Sequence, residues 1–218
     1  MIIDHNHPLY RQIWKDSQNK YNGAFFYSKE IVKYIIPNVK TDRNWITVNI
    51  PGSGCDHAIV FIHNNLNPEE RYAWLAKYKD LVLVCGIKET MPKVAHLGTP
   101  IYLPLSVDVA NICQYKAPKT KDSAFVGRPI KRRYNGVILP DNIDYIEGLP
   151  RTKLLAEMAH YKNIYAVGRC AIEAKVLGCK VKRYDPRFPD PDLWEVIDNS
   201  EAAVMLQVIL NRIDNTSQ

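Results

Sequence analysis

The residues with the clearest chemical potential surround a glycine turn in the segment 163–184. A β-branched, apolar run over 163–167 predicts a buried strand, and the apolar spacing over 170–177 predicts a helix. N–H groups at a helix N-terminus, together with the positive end of the helix dipole, bind phosphate groups. We therefore predict a phosphate site whose backbone amides come from Gly168, Arg169, Cys170 and Ala171.

Glu173 is the acidic residue closest to this turn, one helical turn further along the chain. A carboxylate accepts hydrogen bonds through both oxygens, so it can hold the hydroxyl groups of a sugar. We interpret Glu173 as the ribose-binding residue of a nucleotide site. The alternative is an ordinary strand–helix–strand corner in which Glu173 is solvated and binds nothing.

A second source of phosphate-binding groups is the strongly basic stretch 116–133. Guanidinium and ammonium groups form charge-assisted hydrogen bonds with phosphates. The alternative is a solvated linker with a basic surface. The only acid of this stretch is Asp122, and its basic residues are Lys116, Lys119, Lys121, Arg128, Lys131, Arg132 and Arg133.

The chain as a whole is also basic, with a net charge of +6 and a pI of about 9.0. Such a charge favours a polyanionic partner. Nucleic acid, a nucleotide diphosphate, a teichoic-type polymer and an anionic membrane all fit it. The 46% of hydrophobic residues in 218 is typical of a globular protein with a sizeable core.

His63 is the candidate catalytic residue. It follows the continuous apolar run 58–62, so it is expected at the carboxyl end of a buried strand. A neutral imidazole there can orient a sugar hydroxyl or act as a general base, and a hydrogen-bonded structural histidine is the alternative. The carboxylates Asp4, Asp56 and Asp108 are further candidates for the base.

Metal, disulfide and secretion signals are weak in this sequence. His5 and His7 have no third ligand arranged with them, so we predict surface histidines and no metal site. The five cysteines are odd in number and lack C-x-x-C spacing, which favours a reducing cytoplasm. The first ten residues do not form a signal sequence, and no apolar run approaches the ~20 residues of a membrane span. We predict a cytoplasmic protein.

Apolar strands alternating with helices predict an α/β fold with parallel sheets covered on both faces. Ligands of such sheets bind beyond the carboxyl ends of the strands. The expected architecture is two small Rossmann-like lobes with a ligand cleft between them. The predicted strands are 45–50, 58–62, 81–85, 101–105, 123–126, 136–139, 143–146, 163–167 and 180–184, and the predicted helices 28–36, 68–78, 90–97, 152–161, 170–177, 193–197 and 200–213.

The predicted domains follow from where this alternation pauses. An N-terminal lobe over 1–108 is followed by a basic linker over 109–121 that contains Pro118. A second α/β lobe spans 122–199, and a C-terminal helix with an apolar stripe spans 200–218.

The motifs in and before the second lobe resemble the GT-B superfamily of nucleotide-sugar glycosyltransferases. Their order and spacing carry the resemblance, which covers about half of the chain. They are the strand-Gly-Arg segment 123–128 with the trailing 131–133, the stretch 144–148 with Leu154, Leu155 and Tyr161, the Glu173-Ala174 element with 177–181, the hinge-like segment 101–108, and the strand 60–64 with its terminal histidine.

The resemblance implies a role for each candidate residue. Arg128 and one of Lys131, Arg132 or Arg133 would pair with the donor diphosphate, and Glu173 would hold the ribose hydroxyls. The amides around Gly168 would cradle the same diphosphate. Guanidinium groups and helix-end amides stabilise the charge of the leaving group without a metal, so no cofactor beyond the nucleotide-sugar donor is predicted.

The predicted function is transfer of a sugar from a nucleotide-diphosphate sugar to an acceptor hydroxyl. The basic charge favours a polyanionic acceptor, such as modified DNA or a phosphate-bearing glycan. The alternative is a non-catalytic nucleotide- or nucleic-acid-binding module that keeps the phosphate-cradling lobe. Tyr165, which replaces a carboxylate of many superfamily members, and the short first lobe favour this alternative. The glycine loop at 52–54 lacks the P-loop lysine and the G-x-G-x-x-G pattern, which disfavours kinase and dehydrogenase chemistry.

Overall fold

The computed structural model describes residues 23–47, 54–63 and 67–216, with side chains from Phe26 onward. The histidines at 5 and 7, Asp4, the 52–53 part of the glycine loop and the end of the predicted strand 45–50 lie outside the described residues. The described chain divides into two compact units. The first unit comprises residues 24–106 and 197–216, and the second comprises residues 107–196.

Short strands and helices alternate along both units. The strands are β1 (Asn44–Ile46), β2 (Ala58–Ile62), β3 (Leu81–Cys85), β4 (Thr99–Tyr102), β5 (Ser106–Val107), β6 (Lys121–Val126), β7 (Asp144–Ile146), β8 (Tyr161–Tyr165), β9 (Lys180–Lys182) and β10 (Ile197–Asp198). The α-helices are α1 (Gly23–Glu30), α2 (Pro68–Tyr72), α3 (Met91–Val94), α4 (Val109–Cys113), α5 (Arg151–Met158), α6 (Arg169–Val176) and α7 (Asn199–Thr216).

The first unit is built on a parallel sheet whose strand order, β1-β2-β3-β4, is also the order in the chain. All residues of β2 and β3 are buried, as expected for a parallel sheet with both faces covered. Because side chains alternate along a strand, Ile59 and Phe61 face one layer, while Val60 and Ile62 face the other.

Each face of this sheet has its own helices. Helix α7 packs on the face of Ile59 through Ala202, Ala203, Leu206 and Leu210, together with the π-helical turn Ile31–Ile35 that follows α1. The opposite face is covered by α2, α3 and the 3-10 helix Ala73–Lys77, which connect successive strands. The apolar stripe predicted for the C-terminal helix is thus a core contact of the first unit.

The second unit contains a four-stranded parallel sheet with the order β7-β6-β8-β9. Phe125 of β6 is in register with Tyr145 of β7 on one side and Tyr165 of β8 on the other. Phe125 also packs edge-on against Tyr184, with ring centroids 5.0 Å apart. The parallel α/β class predicted from the sequence is therefore confirmed. Strands β5 and β10 form a separate two-stranded sheet.

Three local predictions were wrong. The strand expected over 136–139 does not form, because Gly136 adopts a φ of +83° and Ile138 is 75% exposed. The helix expected over 193–197 is replaced by a 3-10 helix, Pro191–Leu193, capped by Asp190, and by β10. The helix expected over 28–36 starts earlier and changes type: α1 spans Gly23–Glu30 and the π-helical turn Ile31–Ile35 follows it, while the buried Ser28 hydroxyl donates to the Thr47 carbonyl at 2.6 Å.

No helix in the described part of the chain combines the length and the apolar character that crossing a bilayer requires.

Candidate anion-binding site

The strands of the second sheet are all parallel, but the strand order reverses between the neighbours β6 and β8. The connection that leaves the carboxyl end of β6 leads to β7 on one side, and the one that leaves β8 leads to β9 on the other. In parallel α/β sheets, such a topological switch point opens a crevice that binds ligands. Arg128 follows β6 and Gly168 follows β8, so both lie at this edge of the sheet.

The Gly168 turn has a backbone that requires glycine. Its φ of +61° and ψ of −136° lie in a region that other residues rarely adopt. A Cβ added to Gly168 would meet nothing within 4 Å, whereas one added to Gly98 would lie 2.6 Å from the Leu81 carbonyl. Backbone conformation rather than protein packing therefore demands this glycine.

Helix α6 begins directly after this turn. Its first hydrogen bonds run from the N–H groups of Ala171 and Ile172 to the Gly168 carbonyl, at 3.0 and 3.2 Å. The amides of Arg169 and Cys170 precede these bonds and lie at the positive end of the helix dipole. Of the four residues predicted to supply backbone amides, Gly168 is the N-cap and the other three begin the helix, but the Ala171 N–H is already committed to the Gly168 carbonyl.

The structure places Glu173 differently from the ribose-facing position that the sequence predicts. Its side chain is completely buried, and Oε1 accepts a hydrogen bond from Arg169 Nε at 2.8 Å. The same oxygen accepts a second hydrogen bond from Arg151 Nη2 at 3.2 Å. In this conformation the carboxylate serves two guanidinium groups of its own chain and has no exposed surface for a sugar.

Arg151 is a site residue that the sequence interpretation missed. It is the first residue of α5, its side chain is 17% exposed, and it links the start of α5 to the first turns of α6 through Glu173. The available signal was its position after Pro150, because proline before or at the first helical position marks a helix start. A helix that starts soon after β7 places its first residues at the carboxyl edge of the sheet.

Lys131 is the basic residue of the 131–133 group whose charge interacts with the start of α6. Its half-buried ammonium interacts electrostatically with Cys170, Arg128 and Asp185, and it lies 5.7 Å from the centre of the Phe188 ring. Burial lowers the pKa of Lys131. A bound anion would oppose this effect, since negative charge nearby favours the protonated form of a lysine.

The neighbouring arginines of this group are placed differently. Arg132 Nε lies 3.2 Å from Glu147 Oε1, and its guanidinium stacks over Tyr145 at 4.5 Å. Arg133 is exposed at the end of the 3-10 helix Pro129–Arg133, and Arg128 is exposed at its start. Lys131 and Arg128 therefore fit a role at the glycine turn better than Arg132 does.

A carboxylate and an arginine from the segment after β9 complete this edge. The buried carboxylate of Asp185 accepts hydrogen bonds from Arg187 Nε at 2.9 Å and Nη2 at 2.6 Å. These bonds lower the pKa of Asp185 and raise that of Arg187. The Arg187 guanidinium also lies 4.8 Å from the Tyr134 ring centre. This pair is electrically balanced.

The candidate base His63 belongs to the first unit, at the carboxyl end of β2. Its Nε2 lies 2.5 Å from the Thr47 carbonyl, which assigns the proton to that nitrogen, and its ring packs edge-on against Tyr27. Burial lowers the pKa of His63, which favours the neutral imidazole. Nε2 is thus committed to a structural hydrogen bond, and only Nδ1 has the lone pair that a base requires.

The other described carboxylates proposed as bases serve nearby backbone. Asp108 caps α4 by accepting from the Asn111 N–H at 2.9 Å, and Asp56 accepts from the Lys79 N–H at 2.6 Å. Within residues 23–47, 54–63 and 67–216, no group of three or more His, Cys, Asp or Glu side chains is placed to hold a metal ion. Metal independence of the reaction stays a prediction.

Comparison of the chain with protein-family models, with curated protein sequences and with solved structures gives no match. The resemblance to the GT-B superfamily therefore stays a prediction that rests on the motifs.

Proposed function

We propose that the second unit binds the diphosphate of a nucleotide sugar at the carboxyl ends of β6 and β8. On this proposal the protein is a small GT-B-like glycosyltransferase that moves the sugar to an acceptor hydroxyl. The observation that carries the proposal is the sheet order, which brings Arg128 and the Gly168 turn to one switch point. Lys131, near Cys170 at the start of α6, adds a third phosphate-binding group.

The formal charges at this edge suit such a ligand. Cations outnumber carboxylates here: Arg128, Lys131, Arg151, Arg169 and Arg187 follow these strands together with the carboxylates of Glu173 and Asp185. A nucleoside diphosphate carries about three negative charges near neutral pH, because a terminal phosphate has a second pKa of about 6. The edge therefore complements the leaving group better than an uncharged ligand.

The chemistry follows from this complementarity. The acceptor oxygen bonds to the anomeric carbon while the bond from that carbon to the diphosphate oxygen breaks, and the electron pair leaves with the nucleoside diphosphate. Preorganised cations and helix-end amides stabilise the charge that develops there. A base takes the acceptor proton. A polyanionic acceptor such as modified DNA or a phosphate-bearing glycan suits the net charge of +6.

The test is a thermal-shift and calorimetric screen of the intact chain with UDP, GDP, ADP, CDP, TDP and their sugar derivatives. We expect at least one diphosphate to raise the melting temperature, since a ligand that binds the folded state stabilises it. The variant Arg128→Ala should lose about 10-fold in affinity, as for a charged hydrogen bond. The exposed Arg212 of α7 supplies the matched control, Arg212→Ala, which should bind as the wild type does. A screen with no binder would overturn the proposal.

A non-catalytic nucleic-acid-binding module is the second candidate. The observation that favours it is the arginine–aromatic pair of Arg132 and Tyr145, because Tyr145 is 48% exposed and such pairs stack on bases. Affinity for a short DNA strand that falls steeply with salt, together with no nucleotide binding, would identify this function.

A further inference from the structure

The most specific arrangement at the carboxyl edge is the contact of two guanidinium groups with one carboxylate oxygen. Arg169 and Glu173 are four residues apart on α6, and Arg151 reaches Glu173 from the first residue of α5. The two nitrogen–oxygen distances of 2.8 and 3.2 Å fix both guanidinium groups relative to the start of α6.

The burial of the three side chains differs in a way that suggests a division of roles. The side chains of Glu173 and Arg169 are 0% and 4% exposed, whereas that of Arg151 is 17% exposed. A guanidinium has five N–H donors in a rigid fork, so Arg151 can donate to Glu173 and to a phosphate at the same time. Glu173 and Arg169 have almost no exposed surface, so Arg151 is the member of this group that a ligand can contact.

We infer that Arg151 is a further phosphate-binding residue of this site and that Glu173 is its positioning residue, with Arg169 supporting the carboxylate. This inference rests on the proposed nucleotide site and changes the role of Glu173 within it. Glu173 acts on the diphosphate through Arg151 and does not contact the ribose.

Inorganic pyrophosphate separates the two roles because it has no ribose. If Glu173 positions Arg151, Glu173→Gln weakens pyrophosphate and UDP or GDP binding by the same factor, which we expect to be about 5-fold to 10-fold. If Glu173 contacts the ribose, the same variant weakens nucleotide binding and leaves pyrophosphate binding unchanged. The second result would overturn the inference while the proposed function stands.

A double-mutant cycle distinguishes positioning from a general loss of structure. Arg151→Gln alone should weaken pyrophosphate binding about 10-fold or more. When Arg151 is already replaced, Glu173→Gln should have little further effect, because coupled residues are not additive. Additive losses would contradict the inference. The matched control is Lys153→Gln, on an exposed residue of the same helix, which should bind pyrophosphate as the wild type does.

The remaining outcomes are also decisive. If Glu173→Gln does not fold, as judged by circular dichroism, Arg151→Lys replaces it. This variant keeps the charge but loses the fork, and it should weaken pyrophosphate and nucleotide binding equally. Wild-type binding of UDP or GDP but not of pyrophosphate would overturn the inference alone. Binding of no nucleotide and no pyrophosphate would overturn the proposed function with it.

Discussion

The two four-stranded parallel sheets of this protein carry their charged clusters at opposite ends. In the first unit the cluster lies at the amino ends of the strands, where Asp42 and Arg43 precede β1, His57 precedes β2 and Asp80 precedes β3. In the second unit it lies at the carboxyl ends of β6 to β9. The two clusters also differ in how completely their charges are paired.

The amino-end cluster is a closed network. Arg43, whose side chain is 3% exposed, contacts Asp80 Oδ1 at 2.9 Å and Asp214 Oδ1 of α7 at 3.0 Å. His57 contacts Asp80 through Nδ1 and Asp42 through Nε2. His57 and Asp80 both have a φ of +51°, a strained conformation that such contacts can hold in place. Each cation therefore has two acidic partners, and the network ties three strands to the last helix.

The carboxyl-end cluster has an excess of cations among its described residues. It also lies at a topological switch point, whereas the described strands of the first sheet follow one another in chain order and form no such point. The comparison indicates a general lesson. Cations that are each paired with acids stabilise a unit, as Arg43 and His57 do here with three acids between them, whereas cations in excess at the carboxyl ends of parallel strands mark a place for an anionic ligand.

The largest expected effect is on stability, from Arg43→Met. The variant leaves Asp80 and Asp214 without their shared cation, so we expect a loss of about 2–3 kcal/mol from the unfolding free energy, less than for a fully buried pair because both acids are half exposed. Urea unfolding, with hydrogen exchange of β1–β3 amides, measures it. Arg212→Met is the control, and nucleotide binding should not change. A loss below 0.5 kcal/mol lies within the ordinary range for surface substitutions, and it would show that the network does not contribute to the stability of the first unit.

The next effect sharpens the comparison within the second unit. Gly168→Ala should cost about 1–2 kcal/mol in stability and also weaken diphosphate binding, because the turn backbone must shift. The matched control is Gly178→Ala, at the other end of α6, where φ is +78° and no atom lies within 4 Å of an added Cβ. The control should lose similar stability and keep its affinity. Equal losses of affinity in both variants would argue against a ligand at the Gly168 turn.

A smaller effect is expected on pyrophosphate affinity, where Lys131 and Arg133 should differ although they are only two residues apart. Lys131→Gln should weaken pyrophosphate binding about 5-fold to 10-fold, because the charge of its half-buried ammonium interacts with Cys170 at the start of α6. Arg133→Gln should change affinity less than 2-fold at physiological salt, because an exposed charge is screened. Calorimetry of both variants measures the difference. The reverse order would move the anion away from the glycine turn.

The smallest effect is a pH dependence confined to the first unit. Hydrogen bonds to Asp80 and then Asp42 raise the pKa of His57 above its ordinary 6.5, and the bond to His57 lowers the pKa of each acid below 3.8. Stability from His57 is therefore full below pH 6.5 and lost as pH rises through the raised pKa. Stability from the two acids is present above pH 3.8 and lost as pH falls through their lowered pKa values.

The network should thus support the first unit best between about pH 4 and pH 6.5. We expect the melting temperature of this unit to fall by no more than a few degrees between pH 6 and pH 9, since His57 is partly exposed. The variant His57→Gln should remove that part of the fall. Arg43 stays charged throughout and does not contribute to the slope. An unchanged slope in His57→Gln would show that another group titrates.

Much of the fold was predictable because local patterns carry it. The continuous apolar runs at 58–62 and 81–85 predicted buried parallel strands, and both form. Glycine at 168 predicted the strand-to-helix turn, and the structure has that turn. The strand predicted at 136–139 failed because Gly136 adopts a positive φ and Ile138 is exposed, so that a single backbone hydrogen bond, from the Ile138 N–H to the Tyr184 carbonyl, forms there in place of a ladder.

The site was less predictable because its contacts join distant residues. The residues near Glu173 in the sequence do not predict its hydrogen bond with Arg151, which lies 22 residues away. The acidic partner of Arg43 on α7 is 171 residues away. The apolar spacing predicted that Glu173 lies on a helix. It did not predict that the Glu173 side chain is buried, because burial depends on the residues that pack around it.

The amino-acid sequence by itself determined the alternation of strands and helices, the parallel class and the glycine turn, because hydrophobic period and backbone preference act over a few residues. Tertiary structure alone decided the order of the strands, and with it the switch point at the edge of the sheet where both Arg128 and Gly168 lie. It also decided which charges are paired, since an ion pair depends on distance in space and on burial, and neither is a property of neighbouring residues in the chain.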